Sequence, residues 1–391
     1  MLLNFENTEI AFNSKTNRDL LKARFLFSSM AKPWLTNFGI QFTQFAFKTK
    51  LPIHSFIKNT IFKQFCGGET LSEADHTSFE LAKYGVGVIM DYSVEGKANE
   101  EEFEKTTETF LKTIKYCGEK EYIPFISLKT TGFARFELLE KLHSQATLTP
   151  EESAEAERIY KRIDKICQAA SDNGKMILID AEESWIQQPV DDITDKMMEK
   201  YNGKKVVVFN TFQLYRHDRL DFLKKSYEKA NLKNYLFGAK LVRGAYMEKE
   251  RLRASEMNYQ DPIQPSKEAT DKDYDLAMEF CLSHLDQISL FIGTHNENSC
   301  MLATRLMNNK SILNSAENIY FSQLFGMSDN ISFNLAKQGY HVSKYLPYGP
   351  VEDVIPYLMR RAQENTSVAG QTSRELVLIN KELERRKSLK K

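Results

Sequence analysis

The chain has no Cys-x-x-Cys pair, and its five cysteines (Cys66, Cys117, Cys167, Cys281 and Cys300) are widely spaced. This excludes a disulfide framework and a zinc knuckle, and fits core thiols in a reducing compartment. Net charge is also lacking, since 53 Lys and Arg balance 53 Asp and Glu. No basic excess remains to track a phosphate backbone, so nucleic acid is not an expected partner. No apolar run reaches the length that crosses a bilayer. The first thirty residues lack the apolar core of a signal peptide, and Glu6, Glu9 and Asp19 are out of place in an acid-poor transit peptide. A cytoplasmic protein is expected, with a peripheral setting at an inner membrane as the second reading. No Gly-x-Ser-x-Gly elbow occurs, and Gly85-Val-Gly87 is only a fragment of a dinucleotide turn. No histidine pair has metal-ligand spacing on a helix, so no metal is expected.

What is present is enough for a large core: 391 residues, 42% of them hydrophobic. From about Lys83 the chain alternates short apolar runs with helix-period stretches. The runs are Val86–Tyr92, Ile123–Leu128, Met176–Ala181, Val206–Asn210, Leu236–Arg243, Ser289–His295, Ile319–Leu324 and Val342–Leu346. Strands buried on both faces of a parallel sheet read this way. Eight such units predict an α/β fold of the (βα)8 barrel type, with a doubly wound open sheet as the alternative. The expected division is an N-terminal helical domain over 1–82, the barrel over 83–375 and a C-terminal helical tail over 376–391. The Phe-rich face of the first domain, through Phe25, Phe42, Phe45 and Phe47, reads as core or domain interface, with a membrane surface as the other reading.

Two insertions are expected. Phe133–Asn173 is longer than one helix needs, and Glu151–Ala170 within it is strongly helical with Pro150 near its start. Arg251–Thr270, which contains Asp261-Pro-Ile-Gln-Pro, reads as a long loop of the kind that forms lids. The Arg385-Arg386-Lys387 tail reads as frayed and solvated.

In a barrel the carboxyl ends of the strands carry the chemistry. Every run ends in polar groups: Asp91 and Glu95, Lys129, Asp180, Asn210 and Gln213, Lys240 and Arg243, Thr294 and His295, Gln323, and the phenol of Tyr345. Gly244-Ala245 after Arg243 permits close backbone approach to a phosphate. After Tyr345, the adjacent Arg360 and Arg361 stand among Val354, Ile355, Leu358, Met359 and Ala362. Such a pair is either a solvated face or an anion site. Adjacent helix residues diverge by roughly 100°, so at least one arginine must lie near the apolar side. A buried guanidinium is costly unless an anion meets it, and its fork suits a carboxylate or a phosphate. The cations and the carboxylates Asp91, Glu95 and Asp180 suit a phosphate-bearing cofactor held together with a small apolar acid.

These motifs together resemble the proline dehydrogenase family. The stretches are Asp91-Tyr-Ser-Val-Glu-Gly96, Phe209-Asn-Thr-Phe-Gln213, Lys240-Leu-Val-Arg-Gly-Ala-Tyr246, Asp261-Pro-Ile-Gln264, Gly293-Thr-His-Asn-Glu297, Gln323-Leu-Phe-Gly-Met-Ser-Asp329, Tyr345-Leu-Pro-Tyr-Gly and Arg360-Arg-x-x-Glu364. The resemblance implies a distorted barrel that binds FAD, oxidises L-proline to Δ1-pyrroline-5-carboxylate by hydride transfer to flavin N5, and passes electrons to a quinone. It implies that Arg360 and Arg361 clamp the substrate carboxylate, Tyr345 packs on the ring, Lys129 completes the pocket, Asp180 shapes it, and Glu95 closes over it as a partner of Arg360. Lys240 is implied near flavin N5. Ala181, Asn210, Gln213, Arg243, Gly244, Ala245, Tyr246, Thr294, His295 and Glu364 are implied around the rest of the cofactor. The family also contains bifunctional members, and the expectation here is a monofunctional chain whose product goes to a separate pyrroline-5-carboxylate dehydrogenase. The alternatives are a 4-hydroxyproline dehydrogenase, which Tyr345 disfavours, and a metal-independent barrel aldolase or lyase with Lys129 or Lys240 as the amine.

Overall fold

The structure, a computed structural model, describes residues 3–49, 51–92, 99–367 and 371–389. All eight expected strands form: β1 (Val86–Tyr92), β2 (Phe125–Leu128), β3 (Met176–Ile179), β4 (Val208–Gln213), β5 (Phe237–Val242), β6 (Ile288–Gly293), β7 (Ile319–Leu324) and β8 (Val342–Tyr348). They close into a barrel in sequence order, with β1 running parallel to β8, which excludes the open sheet. β1 and β7 have the expected bounds. β4 starts at Val208 instead of Val206, and the Asn202 side chain accepts from the N–H groups of Val207 and Val208 (both 2.9 Å) at this entry to the strand.

The chain forms two compact units, residues 1–95 with 323–391 and residues 96–322. In the second unit Phe125, Phe209, Phe291 and Tyr320 fill the strand interior. The Phe125 ring stands 5.8, 5.1 and 4.8 Å from the other three, edge to face in each case. Aromatic quadrupoles favour this geometry, so the interior is packed and is no pore. The Phe133–Asn173 insertion holds helices Phe136–His143 and Pro150–Asp172. Thr149 and Glu152 form a reciprocal capping box at the start of the second, with Pro150 in its first turn. The expected long loop is corrected. Met247–Met257 is a helix rich in strong helix formers, Asn258 ends it at φ +55°, and Ser266 caps the next helix, Lys267–Leu282. Only residues 258–266 remain as loop.

In the first unit, helices Asn17–Met30, Val351–Ser367 and Gln371–Ser388 bury Leu20, Phe27, Val354, Leu358, Leu378 and Leu383 in one core. The frayed tail is also corrected. Glu382 is fully buried, accepts from Arg385 (2.8 Å) and Arg386 (2.6 Å), and its carboxyl is held below the usual range by those bonds against the opposing effect of burial. Arg386 then donates to the carbonyls of Phe12 (2.8 Å) and Lys15 (2.9 Å). The basic end is thus used to satisfy backbone acceptors elsewhere in the chain. Gly326, at φ +80°, could carry no side chain, because a Cβ there would stand 2.0 Å from the Gln64 carbonyl oxygen.

Candidate active site

In the second unit, strand periodicity sorts the polar residues. Thr211 pairs with Lys240, Lys240 with Phe291, and Phe291 with Tyr320. Lys240 therefore shares the face of the interior aromatics, and its Nζ stands 6.0 Å from the Phe291 ring centre. Asp180 follows β3 on the same face, and the two buried groups meet in a 2.5 Å ion pair. Gln213 lies on this face as well and donates to the Glu182 carbonyl (2.7 Å). Lys129, directly after β2, is half-buried.

Asn210 is separated from these residues. One step along β4 turns its side chain to the other face, where it donates to Asp191 (3.0 Å). Asp191 also takes two bonds from Arg219 (2.9 Å each), so this buried trio ties β4 to helices Gln187–Tyr201 and Arg219–Lys233. Only the amide nitrogen of Asn210 is used in this way, and its Oδ1 is buried with no hydrogen-bond partner. Its amide nitrogen turns to the helix layer, while Thr211 and Gln213 are the polar β4 residues on the Lys240 face.

Lys240 and Arg243, three residues apart, go to different places. Arg243 donates to Asp271 (2.6 Å), Thr294 (2.7 Å) and Ser299 (3.0 Å), with its guanidinium 4.3 Å from the Tyr274 ring centre. Gly244 and Ala245 are exposed, while Tyr246 and His295 are half-buried. Gly244 has φ +145°, and a Cβ would lie 2.4 Å from the Tyr215 ring, so this position requires glycine. Exposed backbone beside Arg243, Thr294 and His295 is the donor set that a dinucleotide phosphate needs, and the residues present fit such a group. Among the described residues no cluster of His, Cys, Asp and Glu could hold a metal.

Glu182 went unnoticed in the sequence, although it is two residues past Asp180 and hence on its face. It is buried, and its carboxylate accepts from the Thr131 N–H (3.1 Å) and hydroxyl (2.8 Å). Burial pushes its pKa up to about 7, against the pull of Lys129 and the Thr131 bonds. Between its ordinary 4.5 and about 7 the folded chain holds a proton that the unfolded chain has released. This group therefore lowers stability as pH rises through that window. Glu182→Gln keeps an acceptor for Thr131 and removes the titration. Thermal melts should show the gap in Tm between variant and wild type moving in the variant's favour across the window, and a constant gap would show that Glu182 titrates normally.

In the first unit Tyr345 pairs with Ile89 of β1, half-buried, and its carbonyl accepts from Phe325 (2.9 Å). Its neighbour Lys344 points the other way and is fully buried, paired with Asp329 (2.8 Å) and donating to the Met327 carbonyl (2.5 Å). Helix Val351–Ser367 follows. Arg361 is only 8% exposed, next to buried Leu358 and Ala362, and its guanidinium stands 5.2 Å from the Tyr357 ring centre. Arg360 is half-buried. A purely solvated pair is excluded for Arg361. Glu95 and the side chain of Glu364 lie outside the described residues.

The chain is thus a (βα)8 barrel whose polar groups gather after its strands, among them the buried Lys240–Asp180 pair, the donors after β5 and β6, and, after β8, the buried Arg361. The sequence matches the proline dehydrogenase family profile over residues 74–374, and the chain belongs to that family. It is 35% identical over 379 residues to proline dehydrogenase 1, mitochondrial, of Dictyostelium discoideum, covering 86% of this chain and 66% of that one. It is 34% identical to the carbapenem antibiotics biosynthesis protein CarD of Pectobacterium carotovorum subsp. carotovorum, covering 82% of this chain and 83% of that one. It is 30% identical to the hydroxyproline dehydrogenase of Xenopus laevis, covering 84% and 78%. The fold matches proline utilization A from Bdellovibrio bacteriovorus, in a structure inactivated by N-propargylglycine, with TM-score 0.72 at 18% identity over 93% of this chain and 42% of that one. The chain thus spans about two thirds of the Dictyostelium protein and less than half of the Bdellovibrio protein.

Proposed function

We propose that the chain oxidises L-proline to Δ1-pyrroline-5-carboxylate with FAD as cofactor and a quinone as electron acceptor, as the first step of proline breakdown. The observation that carries this reading is Arg361, a guanidinium buried on an apolar helix face beside Arg360. The fork of such a guanidinium suits the carboxylate of a small apolar acid.

In this reading Arg360 and Arg361 hold the proline carboxylate and Tyr345 packs on its ring. Lys129 and Asp180 bound the substrate pocket, and Glu95 closes over it. Arg243, Gly244, Ala245, Thr294 and His295 hold the phosphates and adenosine part of the cofactor, with Ala181, Gln213, Tyr246 and Glu364 lining it. FAD, when bound, supplies the hydride acceptor. Proline loses a hydride from the ring carbon beside nitrogen and a proton from nitrogen, and a C=N bond forms. The residues' part is orientation, and Lys240 lends positive charge where negative charge develops. The product is left for a separate pyrroline-5-carboxylate dehydrogenase. The aldolase alternative is less well supported, because the Nζ of Lys240 is already engaged by Asp180.

The absorption spectrum of the purified protein tests the reading. Flavin bands that bleach on anaerobic addition of proline are expected. A colourless protein, or bands that proline leaves unchanged, would overturn it.

Among substrates, 4-hydroxyproline is the close competitor, and in this reading Tyr345 is the position that discriminates against it. Its ring should crowd an added hydroxyl and leave it unpaired. Tyr345→Ser is expected to shift the ratio of kcat/KM values toward 4-hydroxyproline by at least about tenfold. A ratio equal to that of the wild type would show that position 345 does not border the ring.

A further inference from the structure

Between Leu20 and Gly68 the sequence contains no Asp or Glu, although the chain has 53 of them, and it contains Lys22, Arg24, Lys32, Lys48, Lys50, Lys58 and Lys63. The helix Pro33–Lys48 lies at the centre of this segment. One of its faces is in the core: Thr36 and Ala46 are buried, and Ile40 packs on the hydrophobic cluster of the first unit. Its other face carries Trp34, Phe38, Phe42 and Phe45, which are 69%, 61%, 44% and 58% exposed. At helical spacing these four fall on one stripe opposite the buried face. Phe38 and Phe42 stack at 6.2 Å, so the aromatics meet one another and no protein covers them. Lys32 and Lys48 are exposed at the two ends of the stripe. Single exposed apolar residues are ordinary, but a run of four large aromatics marks a surface that something covers.

We infer that this helix is a membrane-docking face, lying in the plane of an anionic bilayer with its aromatics at the boundary between headgroups and acyl chains and its lysines among the phosphates. At 16 residues it is too short to span, and no helix among the described residues is long and apolar enough to cross a membrane. An amphipathic helix of this size with aromatics on one side and flanking cations lies in the interface instead. Charge selects the occupant. A second copy of the chain would bring the same acid-free basic segment against this one, and like charges oppose a self-complementary contact. An anionic lipid surface is complementary to them. The inference is independent of the proline reading, since its test reads binding and no turnover.

Trp34 is a built-in reporter, because the only other tryptophan, Trp185, is buried. The full chain would be floated with vesicles of phosphatidylcholine alone and of phosphatidylcholine mixed with phosphatidylglycerol. Flotation is expected with the mixed vesicles and is expected to weaken as salt is raised. In a Trp185→Phe variant, the Trp34 emission should shift to the blue on binding and be quenched by lipids brominated on the upper acyl chain. The triple variant Trp34→Ser, Phe38→Ser, Phe42→Ser changes only exposed side chains, so folding is not threatened, and its flotation should fall at least tenfold. Three outcomes would each overturn the inference. The wild type could fail to float with either vesicle, or the triple variant could float as well as the wild type. Alternatively the wild type could be a dimer in solution that the triple variant dissociates, which would assign the face to a second copy.

Discussion

Arg361→Ala should raise the KM for proline by roughly ten- to a hundredfold, the size of one lost charge-assisted contact of about 1.5–3 kcal/mol. The argument is one of burial. Arg361 is 8% exposed on a helix whose neighbouring side chains are apolar, and the ring of Tyr357 lies against it. A cation so placed is weakly screened by solvent, which strengthens its attraction to a substrate carboxylate. Arg360→Ala, half-buried, should weaken binding less. Arg361→Lys should not restore the affinity, because an ammonium cannot present two parallel N–H groups to one carboxylate. Steady-state kinetics decide the matter, with circular dichroism and flavin content confirming that each variant is folded and loaded. A KM near the wild-type value in Arg361→Ala would remove this residue from the substrate's carboxylate.

The second large effect is expected in stability. Lys240 and Asp180 are both buried and meet at 2.5 Å. Removing one member of such a pair leaves an uncompensated charge in a low-dielectric interior, at a cost of about 3–5 kcal/mol. Lys240→Met keeps the volume and deletes the charge, so it should lose stability on that scale. The double variant Lys240→Met, Asp180→Asn removes both charges and should recover most of the loss. Urea unfolding of the wild type, both singles and the double gives the coupling directly. Additive losses would show that the two groups do not interact. Both variants carrying Lys240→Met should also reduce bound flavin slowly when proline is added anaerobically, a loss that Asp180→Asn cannot repair.

The strands were legible because each is a short apolar run, and burial on both sheet faces produces such runs whatever the partners are. Which face a polar residue takes was harder to read. Asn210, Thr211 and Gln213 crowd one strand end, and what meets the outward Asn210 is the Asp191–Arg219 pair, contributed by the helices just before and just after the strand. Glu182 could have been found, since it is in phase with Asp180, but a Glu-Glu step after a strand also reads as the start of a helix. Lys344 gave no signal. A lysine within an apolar strand reads as an edge residue until Asp329 is seen to meet it. The helix over Met247–Met257 was obscured by the prolines and the asparagine that follow it, which end the helix but do not prevent its start.

One feature of the first unit bears on how the protein is made. Arg386 bonds the carbonyls of Phe12 and Lys15, and Arg374 and Lys381 hold Glu6. In synthesis, residues 6–15 emerge long before residues 374–386. The N-terminal helices must therefore wait, with Leu20 and Phe27 lacking their core, while the intervening residues 96–322 are translated. At roughly 5–20 residues per second the delay is on the order of 10–45 s. During that interval the aromatic helix Pro33–Lys48 has both of its faces open, which makes this nascent segment a natural client for a chaperone.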